Sequence, residues 1–298
     1  MPKNNAPTFS IVTPSYNQAR FIEETIESVI SQKGDFYIQY IIGDAGSKDG
    51  SVDIIKRYDK LVKSKGFKPN CLGVTIEWWS KKDKGQSDAI NKGFKKATGE
   101  YLAWLNSDDV YYPGAMAAAL KEFDKDKNLG LVYTDFEDID AESKHLENRH
   151  ADPFDLERIV HVGNMVPQPA SFMLREAAKS VGFLNEKYHY AMDYDLWIRI
   201  GQKYTVKKTK GCWAKFRLHD ESKTVSLEKK FWKEVWEISR KNGADITSPI
   251  FINHYFSVSP FLMTTINRIG RIYRMLRQGN FKLFGEKLAR NLQFWKKK

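Results

Sequence analysis

Cysteine is scarce in this chain. Cys71 and Cys212 are its only two among 298 residues, and they fit no metal or redox spacing. Both read as reduced structural thiols. No stretch approaches the roughly 18 consecutive apolar residues of a membrane span. The opening MPKNNAPTFSIV has no charged region followed by an apolar run, so a secretory signal is not expected. No internal repeat is present. Most of the chain also lacks a charge excess. Residues 264–298 hold ten Lys or Arg and one Glu, which is +9 of the total +11, so the preceding 263 residues are close to balance. The body is therefore not a basic nucleic-acid binder.

What is present is enough for a sizeable core: 42% hydrophobic residues, 13% of all residues aromatic. The length suits one large α/β domain with an appendage, or two small domains. TFSIVTPSYN reads as a strand and turn, and ARFIEETIESVISQ has apolar residues at helical spacing. YIQYIIGDAGSKDGS, VTIEWWS and EYLAWLN read as further strands. VDIIKRYDKLV, GQSDAINKGFKKAT and YPGAMAAALKEF read as helices between and after them. This alternation to about residue 125 predicts a mostly parallel sheet with helices on its faces. GLVYTDFEDID adds a strand, after which the alternation blurs. DLWIRIGQKY reads as helix and KKTKGCWAKFRLH as strand.

Three early strands end in polar residues: 14–17, 44–49 and 106–109. In an open parallel sheet, ligands bind at the carboxyl ends of the strands, so these ends converge on one edge. The last of them, NSDD, closes the apolar run YLAWL with two adjacent carboxylates. Such a pair is costly to desolvate unless a cation accompanies it. Mg²⁺ and Mn²⁺ take oxygen ligands, and Mg²⁺ often joins one or two carboxylates to a substrate phosphate.

IVTPSYNQ, IIGDAGSKDGS, DKGQSDAINKGFKKATGEYLAWLNSDD, PQPASFMLR and AMDYDLWIRI, in this order, resemble a family 2 glycosyltransferase with the GT-A fold, over residues 8 to 224. The resemblance implies a nucleotide-diphospho-sugar donor, a divalent cation (Mn²⁺ or Mg²⁺) and inversion at the anomeric carbon. It implies that Thr13, Pro14 and Tyr16 pack against the nucleobase and that Asp44 reads its edge, which favours uridine without excluding guanine. Asp49 and Ser51 fit a ligand loop and a turn with helix cap equally. Asp108 and Asp109 match the metal motif, with Asn106 where relatives have an aspartate. Asp88 is expected at the site, with Asp83 and Gln86 near sugar or ribose hydroxyls, and Asn91 fits either site or core. Asp193 stands where the base belongs, preceded by Met192 instead of the common Glu, with Asp195 as second choice. His219 fits both a third metal ligand and a structural role. Arg217 and Lys223 are expected to meet the departing diphosphate. Gln168 suits an acceptor hydroxyl or a plain rigid turn.

The expected layout is a GT-A catalytic domain over residues 1–225, with a donor half to about 125 and an acceptor half from 126. A helical basic extension follows over 226–298. In INRIGRIYRMLRQ, apolar residues recur at helical spacing beside Arg268, Arg271, Arg274 and Arg277. That pattern suits docking on an anionic membrane surface, with packing on the domain or on a second subunit as the alternative. Expected partners are the sugar nucleotide and a glycan acceptor, lipid-linked in bacterial surface polysaccharide assembly. No nucleic acid is expected, and an oligomer is allowed. The expected location is the cytoplasm, at the inner face of the membrane. A sugar nucleotidyltransferase is the rival enzyme class, disfavoured because TPSYNQAR has no glycine. A non-catalytic nucleotide-sugar binder is the rival outside enzymes.

Overall fold

A computed structural model describes residues 6–219 and 228–256. Two compact units divide the chain, Met1–Leu227 and Glu228–Lys298. Lys223 and the basic stretch 264–298 lie outside the described residues.

In the first unit, β1 (Thr8–Ser15), α1 (Ile22–Ile30), β2 (Gly34–Asp44), α2 (Ser51–Lys63), β3 (Cys71–Ser80), α3 (Gln86–Lys96) and β4 (Tyr101–Trp104) alternate. The four strands pair in parallel in the order β3-β2-β1-β4. Seven of the eight β1 residues are buried, as expected for a strand covered by helices on both faces. On one face Phe9, Ile11, Ile38, Tyr40 and Ile42 join Ile22 and Ile26 of α1 and Ile55 of α2 in one core. On the other, α3 comes so close that a Cβ at Gly93 would lie 2.5 Å from Val12 Cγ1. Phe94 of α3 meets Trp104, which stacks on Trp197 at 5.5 Å.

Beyond β4 the sheet is mixed. The chain continues through β5 (Val110–Tyr111), α4 (Ala115–Lys125), β6 (Leu129–Ile139), β7 (His145–Arg149), α5 (Leu156–Val162), β8 (Ser171–Leu174), α6 (Arg175–Ser180), α7 (Met192–Gly201) and β9 (Thr205–Arg217). β8 is antiparallel to both β4 and β6, β7 forms a hairpin with β6, and β5 is antiparallel to β9. Among the described strands of this half, only β6 and β9 are parallel. The expected parallel order thus holds as far as Trp104, and the stretch after 140 resolves into short elements. The helix read from Asp195 begins three residues earlier, which places Asp193 in its first turn.

In the second unit, α8 (Glu228–Lys241) and α9 (Pro249–Phe256) pack together. Trp236 meets Phe251 at a ring distance of 4.9 Å, and His254 Nδ1 lies 3.1 Å from Trp232 O. Among the described residues no helix is long and apolar enough to cross a membrane.

A buried polar knot sets where β4 begins. Ser10 Oγ donates to Gln39 Oε1 at 2.6 Å and accepts from Gly99 N at 2.9 Å. A Cβ on Gly99 would lie 2.5 Å from Thr8 O and 2.9 Å from Ser10 N, backbone atoms that cannot step aside. Gly99→Ala is therefore expected to cost about 1–3 kcal/mol, read as a lower urea midpoint with an unchanged m-value.

Candidate active site

The strand registers bring Ser15, Asp44 and Ser80 side by side, with Val12 beside Trp104, so the loops after β1 to β4 share one edge. The first two are stitched together. Asn17 N donates to Ser47 Oγ, Gln18 N to Ser51 Oγ and Ala19 N to Asp49 Oδ2, each at 2.8 Å, and Asn17 Oδ1 accepts from Lys48 N at 3.1 Å. Asn17 takes a left-handed φ of 51° to do so. Burial opposes ionisation of Asp49, but hydrogen bonds from Ser51 and Ala19 outweigh it and hold this carboxyl below its usual range. Asp49 and Ser51 are thus anchors of the loop pair.

Several expected ligand contacts turn inward here. Thr13 is buried and its Oγ1 accepts from Tyr40 OH at 3.0 Å, so its side chain serves the core. Pro14 is buried within β1. Asp44 is fully buried. Its Oδ1 accepts from Gly46 N, Ser47 N (2.9 Å each) and Ser80 Oγ (2.6 Å), and its Oδ2 accepts from Ser47 Oγ. Donors from its own loop and from the end of β3 thus hold Asp44 in place, so in this structure its carboxylate serves the loop. Tyr16, in contrast, is 60% exposed at the strand end and offers a ring face to a ligand.

The acid loop lies on the same edge. Asp109 is fully buried. Burial, and then the neighbouring Asp108, push its carboxyl well above the usual range, against hydrogen bonds from Arg217 N (3.1 Å) and Asn106 Nδ2 (3.2 Å). Asp108 Oδ2 lies 3.1 Å from His219 Nε2, and the His219 ring packs on Phe21 at 4.7 Å. Asn106 is held on three sides: Gln86 Nε2 donates to its Oδ1, and its Nδ2 reaches Asp109 and Gln168 Oε1. Gln168 Nε2 donates in turn to Trp104 O at 2.7 Å, so Gln168 ties the loop and is not turned toward an acceptor.

Arg217 departs furthest from expectation. Its side chain is 1% exposed. Nε donates to Asp108 O (2.8 Å), Nη1 to Ser143 Oγ (2.8 Å) and Asp140 O (3.1 Å), and Nη2 to Glu24 Oε2 (2.5 Å). The guanidinium lies over the Phe21 ring at 5.0 Å. Turned inward in this way, it frames the acid pair in this structure. Phe21 and Glu24 carry this frame, yet in the sequence they read only as a helix face.

Among the described residues, no group of three or more His, Cys, Asp or Glu side chains is spaced to hold a metal by itself. Asp108 and His219 nevertheless meet at one point, beside a buried second carboxylate whose repulsion a cation would relieve. Carboxylate plus imidazole is a donor set that would suit Mn²⁺.

The base side lies at the start of α7. Burial pushes the Asp193 carboxyl up to about 6, opposed by its own and the Tyr194 backbone N–H and by Asn164. Asp195, the second choice, pairs instead with Arg199 at 2.6 Å. Met192 Sδ rests 2.8 Å from Ser87 Oγ of α3. Asp88, also on α3, accepts from Lys84 N (2.9 Å) and Lys92 Nζ (2.7 Å), and Asp83 accepts from Gly85 N. Both acids therefore shape the turn into α3. Asn91 donates to Leu184 O and accepts from Leu184 N, a packing role.

The model of one protein family, described as Glycosyl transferase family 2, matches residues 10–182. This chain belongs to glycosyl transferase family 2. An uncharacterized glycosyltransferase of Rickettsia typhi is 28% identical over 226 residues, covering 74% of this chain and 66% of that protein. The hyaluronan synthase of Pasteurella multocida is 30% identical over 200 residues, 67% of this chain and 19% of that one. The chain thus spans less than two thirds of the length of these relatives. In fold, this family 2 chain resembles S. aureus TarS (TM-score 0.60, 15% identity, 85% of this chain, 44% of that one). It also resembles the mannosyltransferase PcManGT of Pyrobaculum calidifontis (TM-score 0.61, 16% identity, 95% and 81%). The architecture is the GT-A fold.

If Arg217 frames the acid loop, Arg217→Ala should lower stability by about 2–3 kcal/mol, since buried carbonyls lose their donor while the partly exposed Glu24 contributes little. Arg217→Lys should recover little of it, because an ammonium cannot reproduce the fork. Urea unfolding measures both. A loss of nucleotide affinity with full stability would return Arg217 to the ligand.

Proposed function

We propose that this protein is an inverting glycosyltransferase that moves a sugar from a nucleoside diphosphate sugar to a hydroxyl of a glycan acceptor. One observation carries the reading. The sheet edge gathers an exposed aromatic ring and an acid–imidazole pair with a buried acid behind it, and residues 163–170 link these to Asp193, a carboxylate that burial pushes up to about 6. The ring of Tyr16 takes the nucleobase by stacking. Solved forms of the fold relatives support the donor class: TarS in complex with UDP-GlcNAc, and PcManGT with GDP-Man and Mn²⁺. With Asp44 held by its own loop and by Ser80 of β3, the uridine preference rests on the first of these.

Asp108 and His219, backed by Asp109, would hold Mn²⁺ or Mg²⁺, which neutralises charge on the departing nucleoside diphosphate. Asp193, ionised, takes the proton from the acceptor hydroxyl. The hydroxyl oxygen bonds to the anomeric carbon as the bond to the diphosphate breaks on the opposite face, so configuration inverts without a covalent enzyme intermediate. A base titrating near 6 is mostly ionised at neutral pH yet still basic enough to assist.

The acceptor we favour is lipid-linked, in surface polysaccharide assembly at the inner face of the membrane. The +9 segment 264–298 supports this, since each Lys or Arg near an anionic leaflet contributes about 1 kcal/mol.

Because the base must be deprotonated, kcat/KM should rise with pH through about 6 and fall about tenfold per pH unit below it. Asp193→Asn should bind UDP with Mn²⁺ as the wild type does and transfer nothing, and EDTA should abolish turnover of the wild type. Donor binding without nucleoside diphosphate release, from UDP-, GDP- or CDP-sugars alike, would instead make the protein a sensor. Separately, the full chain should float with phosphatidylserine-containing vesicles at low salt, and removal of residues 261–298 should abolish flotation. Vesicle-independent sedimentation of the full chain would overturn the membrane reading.

A further inference from the structure

The segment between α5 and β8 touches both halves of the site. Asn164 Oδ1 accepts from Val166 N at 3.0 Å, and Nδ2 donates to Asp193 Oδ2, also at 3.0 Å. Val166 N–H can only donate and an ionised carboxylate can only accept, so the amide is fixed in this orientation. Four residues on, Gln168 hangs from Trp104 O and accepts from Asn106, which also donates to Asp109. One short loop therefore sets the distance between the base and the acid pair.

We propose that Asn164 is the positioning residue of the base: it holds one oxygen of Asp193 in register with the acid loop and favours the ionised carboxylate, leaving its remaining acceptor capacity to the acceptor hydroxyl. This rests on the reading of Asp193 as the base. A neutral amide suits the task, because it stabilises the charged form without adding a charge that would compete for the sugar nucleotide. The residue before Asp193 is Met192, so no second acid adjoins it in the chain.

Charged groups on the surrounding elements are mostly paired with one another. Asp195 pairs with Arg199 on α7, Asp88 with Lys92 on α3, and Arg158 of α5 with Asp152. Glu157 and His161 of α5, Arg175, Glu176 and Lys179 of α6, and Glu186, Lys187 and His189 ahead of α7 also lie on neighbouring segments. Lys207 and Lys208 of β9 pair with Glu122 and with Asp135 of β6, while Glu137 and Asp138 of β6 pair with His145 and Arg149. None of these is among the influences on the Asp193 carboxyl, which are burial, two backbone N–H groups and Asn164.

The experiment is the pH profile of kcat/KM for Asn164→Ala and Asn164→Asp in the full chain. Loss of one hydrogen bond to a charged group is worth about tenfold. Asn164→Ala should therefore move the acid limb up by about one pH unit, lowering kcat/KM about tenfold at pH 5.5 and little at pH 8. Asn164→Asp adds a like charge and should move the limb further. UDP affinity with Mn²⁺, by calorimetry, should stay within about twofold, and His161→Asn and His189→Asn should leave the limb in place. An unshifted limb in both Asn164 variants, whether activity falls evenly at all pH or not at all, overturns the proposal. So does failure of both variants to fold, which would make Asn164 a structural residue of the loop. If Asp193→Asn is active, the base assignment itself is wrong. If Asp193→Asn is inactive and the limb does not move, only the role of Asn164 is lost.

Discussion

A guanidinium with its side chain 1% exposed must be given acceptors on every side, and the donor half of this site is arranged around that demand. An unpaired buried charge costs several kcal/mol. The acceptors that satisfy Arg217 come from three places far apart in sequence: Glu24 of α1, the Asp108 carbonyl, and the turn between β6 and β7. Ser143 in that turn adopts a left-handed φ of 63° and still contributes its hydroxyl. Meeting the needs of one side chain thus fixes a helix, a hairpin tip and the acid loop together. The same residue's backbone N–H, being part of β9, reaches the carboxylate of Asp109.

Much of the frame was legible because periodicity carries it. β1 to β4 and their helices show clear apolar patterns, and NSDD at the end of an apolar run marks a ligand edge in any parallel sheet. The half after residue 140 was harder to read for physical reasons. β7 is exposed along its whole length and so shows no alternation, and α5 and α6 have seven and six residues, too few for a helical period to register.

Individual side chains were a different matter. Thr13, Asp44, Gln168 and Arg217 are residue types that serve equally as ligand contacts and as internal anchors. Which of the two they become depends on partners found only in the fold: Tyr40, Ser80, Trp104 and Glu24. Asp193 and Asp195 separate more simply. Two residues apart on a helix they face different ways, and Asp195 finds Arg199 at the next turn while Asp193 meets a neutral amide. Asn164 left no sequence signal beyond a polar residue in a Pro-containing turn.

The stitching between residues 17–19 and 47–51 has a consequence for ligand thermodynamics. Loops pinned to each other, and to a buried Asp44, give up their conformational freedom when the chain folds. A ligand reaching this edge would meet loops that are already pinned, so little of its contact energy would go into ordering them. If the pinned arrangement is the competent one, apparent affinity at these loops approaches intrinsic affinity, without the discount that a sparsely populated state imposes.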